Sequence, residues 1–206
     1  MFLSGLGYTL LISLFSVILG LIIGTIMALM RLSKNKLLKG IAGVYIDVIR
    51  GTPTMVQLLI IYFIIFAKVP IAQWIVGCIA FGINSGAYIA EIVRGGILSV
   101  DRGQTEAGRS LGMTSKQTMA SIIMPQAMKN ILPALGNEFV VLIKETAVIG
   151  MIASIDLVGA ALQVQSRTYD YIVPLMAIAV IYYVVIKIIS VVLSKIENAM
   201  RKADKR

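Results

Sequence analysis

Between Tyr8 and Met30 the chain reads YTLLISLFSVILGLIIGTIMALM, with no charged residue. At about 1.5 Å of rise per residue a helix of this length crosses the roughly 30 Å hydrocarbon core of a bilayer. The run is longer than the roughly 7–15 apolar residues of a secretory signal, and Met1–Tyr8 carries no positive charge, so it reads as a retained first span. The rest of the 206 residues agree: 58% are hydrophobic and the mean hydropathy is +0.91, far beyond the roughly 45–50% apolar usage of soluble domains. The expectation is one all-α membrane domain over 1–206.

Working outward, five spans can be drawn, at about 8–30, 53–67, 71–97, 133–150 and 171–193. The apolar stretch Ile41–Phe66 is broken by Asp47, Arg50, Gly51 and Pro53, which disfavours a continuous lipid-facing helix. An interfacial piece is therefore expected up to Arg50, with the second span starting at Pro53. Thr52 and Thr54 read as groups that satisfy backbone atoms at this break. Pro133 is expected in the first turn of the fourth span, and residues 151–170 as a short outer helix.

Charge fixes an expected orientation. In the connections, Arg31, Lys34, Lys36, Lys39, Arg50, Arg94, Arg102, Arg109, Lys116, Lys129 and the basic tail from Lys195 to Arg206 fall on one side, and Lys68 and Arg167 on the other. The positive-inside rule then places the N-terminus outside and the C-terminus in the cytoplasm. The net charge of +9 is explained by topology, without a nucleic-acid partner. A single cysteine, Cys78, and the absence of histidine exclude an internal disulfide, a His-ligated metal and His-based acid–base chemistry. The methionines read as core packing.

The polar segment 99–130 departs from this pattern. Asp101 with Gln104, and Thr114 with Gln117, have the spacing of two capping boxes, and Gly112 between them suits a left-handed helix stop. Two short helices are expected, the second bent or ended by Pro125. A loop of this length exceeds a plain connection. It reads either as a docking element or as a solvated hairpin linking two spans.

Glu106-Ala107-Gly108, followed by Gly112, Ile122, Met124 and Pro125, resembles the EAA loop of permease subunits in ATP-binding-cassette importers. Family members usually carry another small residue at the position of Gly108 and Leu at that of Met124. Arg50-Gly51-Thr52-Pro53 and the stretch from Gly86 to Gly96 further resemble the polar amino acid branch, the histidine, arginine and glutamine permeases. The resemblance implies a type I importer permease fold in the cytoplasmic (inner) membrane of a prokaryote. It also implies a coupling helix made of Glu106, Ala107, Gly108, Ser110 and Leu111, ending at Gly112, which docks on a separate nucleotide-binding subunit. The further implied partners are a second permease, most simply an identical copy, an extracellular solute-binding protein, and an amino acid substrate. No Gly-x-x-x-x-Gly-Lys-Ser/Thr loop is present, so ATP and its Mg2+ belong to the partner ATPase, and the chain itself carries no catalytic site or cofactor.

Ionisable side chains within spans cost about 2.5–3.5 kcal/mol at a helix centre and call for a reason. Asn84, Tyr88 and Glu91 recur at i, i+4 and i+7, on one helix face. Glu138 and Glu145 share another. Glu91 and Glu138 are expected at similar depths, facing one cavity that would suit arginine, lysine or histidine. Glu91 has an alternative partner in Arg94 at i+3, and Glu145 in Lys144, whereas Glu138 has no basic neighbour on its own helix. Asp156 is either an entrance residue for substrate or binding protein, or a helix cap. Two other function classes stay open on these residues. One is a small proton-coupled carrier using Glu91 and Glu138. The other is a membrane anchor whose loop recruits a partner.

Overall fold

The computed structural model describes residues 1–203. Lys205 and Arg206, counted above toward the orientation, lie outside the described residues.

The centre of the fold is the pair α1 (Phe2–Leu32) and α4 (Gln73–Leu98). Their contacts rise in step along both chains: Ser16 Oγ donates to the Cys78 carbonyl, Leu19 covers Gly82, and Gly24 faces Gly86 and Ile89. The two helices therefore run in the same direction. Glycines at 20 and 24 and at 82 and 86 let them approach, since a Cβ on Gly24 would stand 2.7 Å from the Gly86 carbonyl oxygen. Small residues four apart are how membrane helices associate where burial gains nothing from water.

Between these two, α2 (Lys36–Arg50) and α3 (Thr54–Ile60) meet at 105°. The break falls where expected, at Gly51–Pro53. Its backbone is satisfied locally: Gln57 Nε2 donates to the carbonyls of Ile49 and Thr52 and to Thr52 Oγ1, whose own hydroxyl donates to Val48. A π-helical turn, Ile61–Ile65, continues α3. Gln57 is bonded to Asn84, while Leu58 and Ile61 lie in one cluster with Val76 and Phe81 nearer the start of α4, so α3 runs along α4 in the opposite direction.

After α4 come α5 (Arg102–Ser110) and α6 (Ser115–Thr118). Asp101 caps α5, but through the Gly103 amide, so no reciprocal box forms with Gln104. Thr114 and Gln117 do form one. Gly112, at φ +82°, closes α5: its amide donates to the Arg109 carbonyl and that of Met113 to Gly108, the paired bonds of a Schellman stop.

Two proline expectations are corrected. Pro125 does not end the second helix, because a π turn over Met119–Ile123 widens the ladder just before it and the helix runs on as α7 (Met124–Glu145). Pro133 lies inside α7 and not in its first turn, since the span's helix begins far earlier.

A 3-10 segment, Thr146–Ile152, leads to the outer helix α8 (Leu157–Thr168), and α9 (Ile172–Ala203) closes the fold. Among the described residues α1, α4 and α9 are long and apolar enough to cross a membrane. Two bent pairs, α2 with α3 and α6–α7 with α8, are apolar enough in combination to add as many as two more, each as a broken span or a re-entrant loop.

Candidate functional site

Two regions carry the residues singled out by sequence. In the first, α5 stands out from the bundle: Glu106, Ala107 and Ser110 are exposed, and Leu111 is 82% exposed. Gly108 is the buried exception on α5, and a Cβ there would meet Thr118 and Ile122 at 2.9 Å. Glycine at this position lets α5 lie flat on the start of the helix that becomes α7. Arg109 reaches over the turn to the Met113 carbonyl at 2.7 Å. The α5–Gly112–α6 unit is thus braced, and it continues without a break into the span that bears Glu138.

The second region is the polar face of α4. Asn84, Tyr88 and Glu91 do share a face, and α2 and α3 fill it. Asn84 Nδ2 donates to Gln57 Oε1 at 2.9 Å, the Arg50 guanidinium sits 5.3 Å above the Tyr88 ring, and Arg94 holds Glu91 through two bonds, 3.0 and 2.7 Å long. Each of these three residues has a protein partner. Glu91 is the i,i+3 ion-pair acid, not an unpaired one.

Glu138 lies elsewhere. It is half-buried and accepts a hydrogen bond from Ser85 Oγ at 2.9 Å. Among the described residues no cation pairs with it. Since α7 runs antiparallel to α4, with Ile131 against Gly96 and Glu138 against Ser85, Glu138 sits at the depth of Ser85. Glu91 lies six residues further along α4, about 9 Å at helical rise. The expectation that Glu91 and Glu138 face one cavity is therefore corrected. The acid within electrostatic reach of Glu138 is Glu145, which the Thr54 hydroxyl contacts from α3.

Asp156 is fully buried as the N-cap of α8, with Oδ1 accepting from the Gly159 amide at 2.8 Å. Its backbone packs against Gly5 of α1, where a Cβ would be 2.6 Å from the Asp156 carbonyl oxygen. Of its two readings the structure gives the cap. An apolar cavity of about 420 Å3 between α1, α7 and α9, lined by Leu14, Phe139 and Leu193 among others, contains none of these acids.

Residues 20–202 match the family described as the inner membrane component of binding-protein-dependent transport systems. The chain belongs to this family. A crystal structure of an amino acid ABC transporter contains a chain 48% identical to this permease, superimposing with a TM-score of 0.91 over 96% of this chain and 93% of that one. The arginine transport system permease protein ArtQ of Bacillus subtilis is 38% identical over 98% of this chain and 93% of its own length. A Rickettsia conorii protein assigned as the glutamine transport system permease GlnP is 42% identical over 93% of this chain and 89% of its own. A chain of the inward-facing methionine transporter MetNI, at 19% identity, shares the fold, with a TM-score of 0.83. The permease thus has a type I importer fold, and its family implies a separate ATPase subunit and a solute-binding protein.

Gln57 is the residue that sequence reading passed over. Only 8% exposed, it ties the elbow after α2 to Asn84 of α4. A lone glutamine four residues after Pro53, inside an apolar run, was the available signal.

Proposed function

We propose that this permease pairs with a second copy of itself and moves a cationic polar amino acid, arginine, lysine or histidine, inward across the cytoplasmic membrane of a prokaryote. One observation carries the substrate class: Glu138 is a half-buried acid in a span with a hydroxyl partner and no cation, and Glu145 lies on the same face. A carboxylate in that setting is stabilised by an ammonium or guanidinium brought by the ligand. Gln57 holds Asn84 through Nδ2, Arg50 lies over Tyr88 and Arg94 pairs with Glu91, so in this reading the three shape the wall beside the path and do not hold the substrate's charge. Asp156 acts through α8, as a support. The names of the relatives span arginine and glutamine, so the fold alone leaves the charge of the substrate open.

In this reading ATP and Mg2+ bind the partner ATPase, and its closure pushes on Glu106, Ala107, Ser110 and Leu111. The braced α5–α6 unit passes the displacement into α7 as a rigid body. The N-terminus is outside and the C-terminus inside, as the basic connections favour.

The test is Glu138→Gln in the transporter reconstituted with its ATPase and binding protein. Half-saturation of uptake for arginine should rise on the order of tenfold or more, the worth of one charge-assisted bond. Glutamine uptake should not fall in step. Arginine uptake unchanged across concentrations would overturn the assignment.

A further inference from the structure

We propose that α2 lies in the plane of the membrane surface and that Lys34, Lys36 and Lys39 at its start hold anionic lipid headgroups. The direction of α2 follows from its neighbour. Because α3 runs along α4, with Gln57 bonded to Asn84 and Leu58 in one core cluster with Val76 and Phe81, α3 follows the bundle axis. A bend of 105° therefore sends α2 across that axis.

The charged residues around α2 mark its depth. The Arg31 guanidinium lies 3.3 Å from where a Cβ on Gly43 would stand, and Arg50 sits over Tyr88, next to the Glu91–Arg94 pair. Such a layer of charge belongs where the bundle leaves hydrocarbon for headgroups.

The helix has a buried side and an exposed apolar side, with charge along the border of the buried one. Ala42, Gly43 and Ile46 are buried on the bundle. Leu37, Ile41, Val44 and Val48, at i, i+4, i+7 and i+11, form a stripe left 70%, 50%, 66% and 54% exposed. Lys36, Lys39, Asp47 and Arg50 are exposed along one border of the buried side, with Lys39 and Arg50 on the same stripe as Gly43 and Ile46. An apolar stripe beside a basic border, on a helix lying across the bundle, is the pattern of a helix embedded at the acyl–headgroup boundary.

Charge names the lipid. From residue 31 to 50 Asp47 is the one acid, against Arg31, Lys34, Lys36, Lys39 and Arg50. The three lysines bracket Asn35, whose side chain caps α2 by accepting from the Leu37 and Leu38 amides. That cap holds them together at the start of the helix. Each lysine near an anionic leaflet strengthens attachment by up to about fivefold. The far end of α2 is the elbow bonded to Gln57 and, through it, to Asn84, so headgroups that hold α2 also hold the broken span.

The experiment uses the full permease with its ATPase, in phosphatidylcholine vesicles carrying increasing phosphatidylglycerol. Spin-labelled phosphatidylglycerol should be immobilised on the protein in preference to labelled phosphatidylcholine. Substituting Lys34→Gln, Lys36→Gln and Lys39→Gln together should abolish that preference, while arginine at the same three positions should keep it. A nitroxide at Val44→Cys, in a Cys78→Ser background, should collide with oxygen and be shielded from a water-soluble nickel chelate. A preference that survives the glutamine substitutions overturns the headgroup site. A nitroxide open to the chelate overturns the embedding, and one shielded from both reagents shows that protein, such as a second copy, covers the stripe instead of lipid.

Discussion

α4 and α9 are both long enough to cross a bilayer, yet they are opposites in packing. In the most apolar window of each, 67% of α4 is buried within the chain and 6% of α9. The buried helix is the less apolar one. It carries Gly77, Gly82, Gly86, Asn84 and Ser85, whereas α9 shows Val180, Tyr183 and Ile188 outward, 62%, 70% and 58% exposed. In lipid, hydropathy measures what faces the acyl chains, and a helix is drawn inward by small side chains and by polar groups that need partners. The polar residues of α4 are met from three directions, by Gln57 of α3, Arg50 of α2 and Glu138 of α7. α9 leaves most of its apolar surface uncovered by the rest of the chain.

The sharpest way to break this contrast is to add the same bulk to each region. A Cβ on Gly24 would lie 2.7 Å from both the Gly86 carbonyl oxygen and Ile89, so Gly24→Val must part the α1–α4 seam. It should destabilise by about 3 kcal/mol, seen as a lower melting temperature of the purified permease and a smaller folded yield. Ala179→Val on the exposed face of α9 should stay within about 0.5 kcal/mol. Equal losses at the two sites would mean that α9 is packed as tightly as α4 in the assembled transporter.

The second contrast is polar. Asn84→Leu strands Gln57 Oε1, an acceptor on a side chain 8% exposed, and should cost about 1.5 kcal/mol. Tyr183→Leu on the outer face of α9 should be silent in the same melt. A silent Asn84→Leu would show that the elbow carbonyls alone hold Gln57 in place.

What could be read beforehand was local. The break at Gly51–Pro53, the box at Thr114 and the left-handed stop at Gly112 each depend on a few adjacent residues, and each is in place. Pairing between helices was not legible, because Gly20–Gly24 and Gly82–Gly86 look alike from within one chain and neither names its partner. The depth of Glu138 relative to Glu91 is not legible in the sequence for a related reason. Pro133 has the look of a first-turn proline but lies inside α7, whose start at Met124 sets the register that puts Glu138 against Ser85. The π turn that absorbs Pro125 also leaves no mark, since its residues, Met119–Ile123, are compatible with an ordinary helix.

The smallest effect separates two reasons for a glycine. Gly24 sits in an ordinary helix and is needed for space. Gly112 has φ +82° with nothing within 4 Å of an added Cβ, so its requirement is conformational. Gly112→Ala should therefore cost about 1 kcal/mol, read as roughly fivefold faster hydrogen exchange at the Met113 amide, which donates to Gly108 across the turn. Asparagine, which tolerates the left-handed region, should recover most of that protection at 112 and none of the stability at 24. A seam filled with side chains takes no substitute for its missing atom, whereas a turn in solvent accepts any residue that can adopt its angle. If asparagine at 112 exchanged as fast as alanine, the stop would be set by contacts with a neighbour and not by the backbone.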